Sequence, residues 1–168
     1  MRVFPSPHTE IPEVQLLSNG RYHVMATNAG GGYSRWKGLA VTRWREDATG
    51  DGWGTFCYLR DAATGAFWSS AYQPTRRWSK NYEAIFLQGR AEYRRRDEDI
   101  DAHTEISVSP EDDVELRRLR VTNSGRTRRT IDVTSYAEVA LAPQAADALH
   151  PAFGNLFVSM GVAILLVY

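Results

Sequence analysis

The chain has 168 residues, and its 20 Lys and Arg are balanced by 20 Asp and Glu. Zero net charge removes the basic surplus that nucleic-acid binding requires and the long-range attraction to an anionic membrane. A single cysteine, Cys57, excludes an intrachain disulfide and a thiolate zinc cluster, and it points to a reducing compartment, the cytoplasm.

In chain order, residues 1–13 read as an extended lead-in, because Pro5, Pro7 and Pro12 oppose regular pairing, and their lack of an apolar segment argues against a signal peptide. Val14–Ser18 is a predicted strand, and Asn19-Gly20 is a two-residue hairpin signal because both positions tolerate positive φ. The return strand, Arg21 to Thr27, alternates, with Tyr22, Val24 and Ala26 on one face. It delivers the chain into Asn28-Ala29-Gly30-Gly31-Gly32-Tyr33-Ser34-Arg35-Trp36. Three glycines supply positive φ or close backbone approach. The side chains that follow are of the kind that stack on and hydrogen-bond to flat polar ligands such as sugars.

Further strands are predicted at Leu39 to Trp44, Gly54 to Arg60, Ala66 to Tyr72, Tyr82 to Gln88 and Arg90 to Arg96. Gly54 to Arg60 and Tyr82 to Gln88 are apolar on both faces, as central strands are. Ala102 to Ser109 alternates with Thr104, Ile106 and Val108 inward. In Val114 to Thr122 the apolar phase slips at Arg117-Arg118, which predicts a β-bulge. Thr130 to Leu141 alternates throughout and reads as one strand. Pro143 to Leu149 is the one helical possibility. About eight to ten strands separated by turn signals indicate an all-β antiparallel sandwich of two packed sheets. The apolar tract Val162 to Tyr168 is too short to span a bilayer.

Few residues suggest chemistry. Glu46, Asp47 and Asp51 offer paired carboxylates for glycoside cleavage, but a Thr-Gly-Asp-Gly turn more naturally forms a solvated loop. The Asp47-x-Thr49-x-Asp51-Gly52 run lacks the distal glutamate of a calcium loop. His8, His23, His103 and His150 share no metal-ligand spacing, and His103 with Glu105 on one strand face makes only two groups. No Gly-x-Ser-x-Gly elbow or phosphate loop is present. The arginines at 94–96 and at 117, 118 and 120 are matched by neighbouring acids and read as surface ion pairs. Trp36, Trp53, Trp68 and Trp78 lie in or beside loops and strand ends, where an indole can face a ligand. The candidate substrate-binding set is therefore Asn28, Gly30, Gly31, Gly32, Tyr33, Ser34, Arg35 and Trp36, with no catalytic and no metal-binding residue.

Several stretches together resemble the N-terminal domain of family 94 glycoside hydrolases, the inverting disaccharide phosphorylases, most strongly their cyclic β-1,2-glucan synthase branch. They are Pro12-Glu13-Val14-Gln15-Leu16-Leu17-Ser18-Asn19-Gly20-Arg21-Tyr22, Asn28 to Trp36, Val41-Thr42-Arg43-Trp44-Arg45-Glu46-Asp47, Tyr58-Leu59-Arg60-Asp61, Gln73-Pro74-Thr75, Val108 to Arg118 and Ser135 to Ala142. The resemblance implies an antiparallel β-supersandwich, galactose-mutarotase-like, over 14–158. In such enzymes an (α/α)6 barrel follows, which carries the general-acid aspartate and the pocket for inorganic phosphate, a substrate. The sandwich itself packs on the barrel, contributes to a homodimer and is associated with carbohydrate binding. The expectation is thus a non-catalytic carbohydrate-binding or scaffold sandwich, with no cofactor, whose partners are a β-glucan oligosaccharide and the barrel. The alternative is a dimerisation and bracing module without sugar contact. The parent synthase is expected at the inner membrane. Residues 159–168 depart from the family as a divergent apolar tail, as a truncated reading frame would produce, so the sandwich is expected to be incomplete.

Overall fold

The computed structural model describes residues 1–46, 51–154, 156 and 158–159. In chain order the elements are β1 (Arg2–Phe4), β2 (Val14–Ser18), β3 (Tyr22–Thr27), β4 (Gly32–Trp36), β5 (Leu39–Thr42), β6 (Thr55–Asp61), β7 (Phe67–Ser69), β8 (Asn81–Leu87), β9 (Arg90–Asp97), β10 (Ile100–Val108), β11 (Glu115–Asn123), β12 (Ile131–Ala137), β13 (Val139–Pro143), α1 (Gln144–Leu149) and α2 (Pro151–Gly154). The strands form three antiparallel sheets instead of the two expected. The first has the order β1-β8-β9-β10-β11, the second β13-β5-β4-β3-β2, and the third β12-β6-β7.

The first sheet is the layer on which the other two lie. Tyr82, Ala84, Phe86, Ala91, Tyr93 and Ile106 of the first sheet pack against Leu17, Tyr22, Val24 and Ala26 of the second. Farther along, Ile100 and Ala102 pack against Leu59 and Trp68 of the third. The alternation read from β3 is observed, with Tyr22, Val24 and Ala26 buried. One face of each half-buried strand is apolar, and that periodicity fixes which side turns inward. The chain belongs to the mostly-β class that its turn spacing indicates.

Four departures have physical causes. Arg2–Phe4 pairs with β8 within the expected lead-in, because the prolines begin only at residue 5. In the first hairpin, the Asn19 N–H donates to Tyr22 O at 3.3 Å, so the turn is centred one residue later, on Gly20 and Arg21, and of Asn19 and Gly20 only Gly20 has positive φ. The β10–β11 register runs unbroken through Ile106↔Arg117 and Glu105↔Arg118, so there is no bulge. The apolar phase misleads there because the inward face carries an ion pair, Glu115 with Arg117, ahead of Leu119 and Val121, while Leu116 is 56% exposed. Finally, residues 130–141 form two strands in different sheets, β12 on β6 and β13 on β5. The change of sheet falls at Glu138, whose carbonyl accepts from Arg43 N–H at 2.7 Å and whose carboxylate binds the Arg43 guanidinium at 2.9 Å.

Two hydroxyls join the first sheet to the second. Tyr93 Oη donates to Thr27 O and Tyr82 Oη to Asn28 O, each at 2.6 Å and buried. Thr27 O also accepts from Gly30 N–H at 3.0 Å, whereas Asn28 O has no other donor among the described residues, so removing the Tyr82 hydroxyl leaves a buried carbonyl unpaired, which costs about 1–3 kcal/mol. Tyr82→Phe is therefore expected to lower the unfolding free energy by about that amount. Tyr58→Phe, which removes a hydroxyl with no hydrogen bond among the described residues, is expected to change it by less than about 0.5 kcal/mol in the same urea titration.

Candidate functional site

The glycine stretch is half turn and half strand: residues 28–31 form the β3–β4 connection and Gly32 begins β4. Thr27 N–H donates to Gly31 O at 2.9 Å and Gly30 N–H returns to Thr27 O at 3.0 Å. Each glycine meets a different neighbour. At Gly30, φ +97, an added Cβ would collide with Ala71. At Gly31 it would enter the Asp51 carboxylate, and at Gly32, φ +149, it would strike the Met25 carbonyl. Gly32 N–H also donates to Trp53 O at 2.8 Å, and Gln73 N–H donates to Ala29 O at 2.9 Å. The loop is thus seated between segments 51–53 and 71–73.

The remaining members of the candidate set part by strand alternation. Asn28 is 2% exposed, and its side-chain amide is spent within the protein. Nδ2 donates to Pro7 O at 3.1 Å and to Thr9 Oγ1 at 3.2 Å, and Oδ1 accepts from Glu13 N–H at 3.3 Å. Ser34 is buried and donates to Glu115. Trp36 Nε1 donates to Asp113 at 2.5 Å, while Lys37 Nζ lies 4.5 Å from the indole. Tyr33 and Arg35 occupy the opposite face of β4, half-buried, opposite Met25 and His23. The Tyr33 ring meets Trp44 edge-on at 5.6 Å, and the Arg35 guanidinium lies 4.8 Å from it and bonds Gln144. Of the eight residues, Tyr33 and Arg35 therefore share the outer face of the second sheet, and Trp44, which was not in the sequence set, joins them. The period-two alternation of residues 32–36 carries that division. Nothing in the local sequence marks Trp44.

On the inner side, a cleft of about 480 Å³ opens between the three sheets. Glu115 sits at its polar end, accepting from Ser34, Tyr22 Oη at 3.3 Å and Arg117. Burial, and after it the Glu115 charge, pushes the Tyr22 phenol up to about 12, so it stays a neutral donor. Cys57 lines the same cleft half-buried, and burial raises its thiol, which keeps it from acting as a nucleophile.

Of the four tryptophans noted at loops and strand ends, Trp68 is 4% exposed and Trp78 is 64% exposed. Trp78 is braced by His8 at 5.0 Å and Tyr72 at 5.9 Å between ring centroids. Glu46 is exposed, Asp47 lies outside the described residues, and the Asp51 carboxylate turns into the glycine loop, accepting from Thr27 Oγ1. Held in this way, the Asp51 carboxylate does not face open space. Glu92 joins His103 and Glu105 to place three ligand-type atoms within 4.8 Å of one another. Guanidinium groups already compensate the carboxylates: Arg90 Nε lies 2.7 Å and Arg94 3.2 Å from Glu92, and Arg118 pairs with Glu105. That arrangement disfavours a further cation.

Residues 1–163 match the family model described as the glycosyl hydrolase 94 supersandwich domain. The chain is similar to the cyclic beta-(1,2)-glucan synthase NdvB of Rhizobium meliloti (strain 1021), with 42% identity over 157 residues, 94% of this chain and 6% of that protein. It is 27% identical over 153 residues to an N,N'-diacetylchitobiose phosphorylase of Vibrio furnissii, covering 86% of this chain and 19% of the relative. With a solabiose phosphorylase of Paenibacillus borealis it shares 26% over 144 residues, 83% of this chain and 19% of the relative. The chain thus spans less than a fifth of the length of these relatives. Among the described residues, no helix is long and apolar enough to cross a membrane.

Two outcomes follow from the loop geometry. Gly32→Ala is expected to lower the unfolding free energy by at least about 2 kcal/mol, whereas Gly38→Ala, whose added methyl meets nothing within 4 Å, leaves it nearly unchanged. Burial lifts the Asp51 carboxyl above the usual carboxylate range, against the opposing hydrogen bonds of Thr27 and Gly31. A raised acid favours the protonated form in the folded state, so its stabilising contribution is present at low pH and lost as pH rises through the raised value. Asp51→Asn is therefore expected to be more stable than the parent chain at about pH 7, with the difference closing below about pH 4. Urea unfolding across that range measures it.

Proposed function

The chain belongs to the glycosyl hydrolase 94 supersandwich family, and from that premise we propose that it serves as the sandwich of a β-glucan-processing protein, non-catalytic by itself, that contacts glucan through the outer face of its second sheet. One observation carries the sugar contact: Tyr33, Trp44 and Arg35 gather there, with ring centroids 5.6 Å apart and the guanidinium 4.8 Å from the Tyr33 ring. Aromatic faces stack on the apolar faces of pyranose rings, and a guanidinium donates to hydroxyls without needing a charged ligand. The cleavage or transfer step requires a carboxylic acid placed to protonate a departing sugar oxygen. Asp51 faces the glycine loop instead, so the acid belongs elsewhere in the longer protein, and the glycine loop serves as the seat that holds β4 in place.

A second reading, bracing or dimerisation without sugar contact, is favoured by the strand edges. The three consecutive strands β11, β12 and β13 each form an outer edge of a different sheet, and Leu116, Val133, Tyr136 and Leu141 on them are exposed. Unpaired edges with apolar side chains are templates for further strands.

Titration with β-1,2-linked gluco-oligosaccharides, followed by tryptophan fluorescence, separates the two. The sugar reading expects a saturable change that Tyr33→Ala and Arg35→Ala weaken roughly tenfold, about the worth of one stacked or charged contact. No saturable change in a chain with native circular dichroism overturns it and leaves the bracing reading.

A further inference from the structure

The outer face of the first sheet carries charge in rows, because residues in register on adjacent antiparallel strands lie side by side. In one row Ile85, Glu92, Glu105 and Arg118 follow one another across β8, β9, β10 and β11. Its charges are closed: Arg90 and Arg94 hold Glu92, and Arg118 holds Glu105. The next row is Glu83, Arg94, His103 and Arg120. It is not closed in this way. Arg94 and Arg120 flank His103 from either side, and among the described residues the Arg120 side chain has no hydrogen-bond or ion-pair partner.

A groove of about 540 Å³ lies over this second row and the row beyond it, Asn81, Arg96, Asp101 and Thr122. Lys80 stands at its end, and its ammonium likewise lacks a partner among the described residues. Four cationic side chains, those of Lys80, Arg94, Arg96 and Arg120, share the groove with Glu83 and Asp101; Arg96 lies 3.8 Å from Asp101 and Arg94 3.2 Å from Glu92, so Lys80 and Arg120 are the two without a carboxylate partner among the described residues. Arg95 borders the groove only by its place on β9, since its guanidinium turns to the other face and binds Asp97 at 2.6 and 2.7 Å. The floor is fixed: His103 Nε2 lies 3.0 Å from Glu92, whose side chain is 3% exposed.

We infer that this groove binds the oxyanion group of a small molecule, a phosphoryl or a carboxylate, between Arg94 and Arg120 above His103. Arg94 and Arg120 stand on either side of His103, and of the two only Arg94 has a carboxylate partner among the described residues, Glu92. A chain without net charge that gathers four cations in one concavity, two of them without a carboxylate partner among the described residues, creates a local field that draws anions. Guanidinium forks match the paired oxygens of carboxylate and phosphoryl groups, and such charge-assisted bonds are among the strongest available. The groove volume falls within the range of small-ligand sites, so the anion has room for an attached organic group. This inference is independent of the sugar contact proposed on the second sheet.

Isothermal titration of the chain with inorganic phosphate and, separately, with malonate tests it, with sodium chloride holding the ionic strength constant. Saturable binding of either anion is expected, and the anion that binds tells phosphoryl from carboxylate recognition. Arg120→Gln, which removes a side chain with no partner to orphan, is expected to weaken binding roughly tenfold, as loss of one charge-assisted contact does. Arg94→Gln weakens it likewise. Arg118→Gln, one row away and paired with Glu105, is expected to leave it unchanged. Failure of both anions to bind above the chloride background overturns the inference. Equal weakening by Arg118→Gln and Arg120→Gln also overturns it, because the effect is then general surface charge.

Discussion

The fold depends on a seam where two tyrosines reach from one sheet into the turn of another. Tyr82 and Tyr93 stand on neighbouring strands of the first sheet, and their hydroxyls end on the consecutive carbonyls of Asn28 and Thr27. Those carbonyls lie at the end of β3, where Thr27 O also accepts from Gly30 N–H and Asn28 O has no backbone donor among the described residues. Burial raises both phenols well above their usual value and holds them as neutral donors. The same turn takes the Asn28 side chain to Pro7, Thr9 and Glu13, and its backbone to Glu13 and Gln73. One tight turn therefore fixes the lead-in, the 71–73 segment and two sheets at once. That explains three glycines in a row: each side of the turn is already occupied by another part of the chain.

A buried ion pair completes the seam. Arg95 is enclosed with Asp97, and its remaining donors reach Ala71 O and, at 3.2 Å, Arg77 O. Burying two charges costs desolvation that attraction alone does not recover, but here two of the spare guanidinium hydrogens are aimed at carbonyls. The pair thereby sets the path of segment 71–77, whose Ala71 packs against Gly30 and whose Tyr72 braces Trp78. The arginine, the glycine and the exposed indole are links of one chain of contact.

How much of this could be read from the sequence depended on range. β2 ends where its turn residues place it, Gly89 breaks β8 from β9, and the alternation of β3 fixes its inward face, because each signal acts within a few residues. The class of fold follows from such local signals and from the resemblance, and the family match bears both out. The errors occur where a distant partner overrides local pattern. Glu115 and Arg117 turn inward because they satisfy each other and Ser34, which reverses the apparent phase of β11. Unbroken alternation through residue 138 conceals a change of sheet that Arg43, almost a hundred residues earlier, enforces. The candidate site shows the same limit. Its residues group as side-chain types suited to sugars, and the alternation of β4 divides them between two faces, but what each one meets, Asp51, Ala71, Asp113 or Trp44, lies outside the stretch.

Once the inner faces are committed to the core, the outer faces are free to differ, and they do. The second sheet shows Tyr33, Trp44 and Met25 with the Arg35 guanidinium near the Tyr33 ring, a surface whose attraction is mainly dispersion and weak polarity. The first sheet shows charge in register across four strands, a surface whose attraction is coulombic and falls as salt rises. A small anion gains little from the aromatic rings of the second sheet, and a sugar ring finds no exposed aromatic face among the residues that line the groove of the first. Because the two sheets pack back to back through the tyrosine seam, these surfaces point away from each other. The sugar contact and the anion contact proposed above therefore do not compete for one surface, and the glycine turn is the part that keeps the two faces in fixed relation.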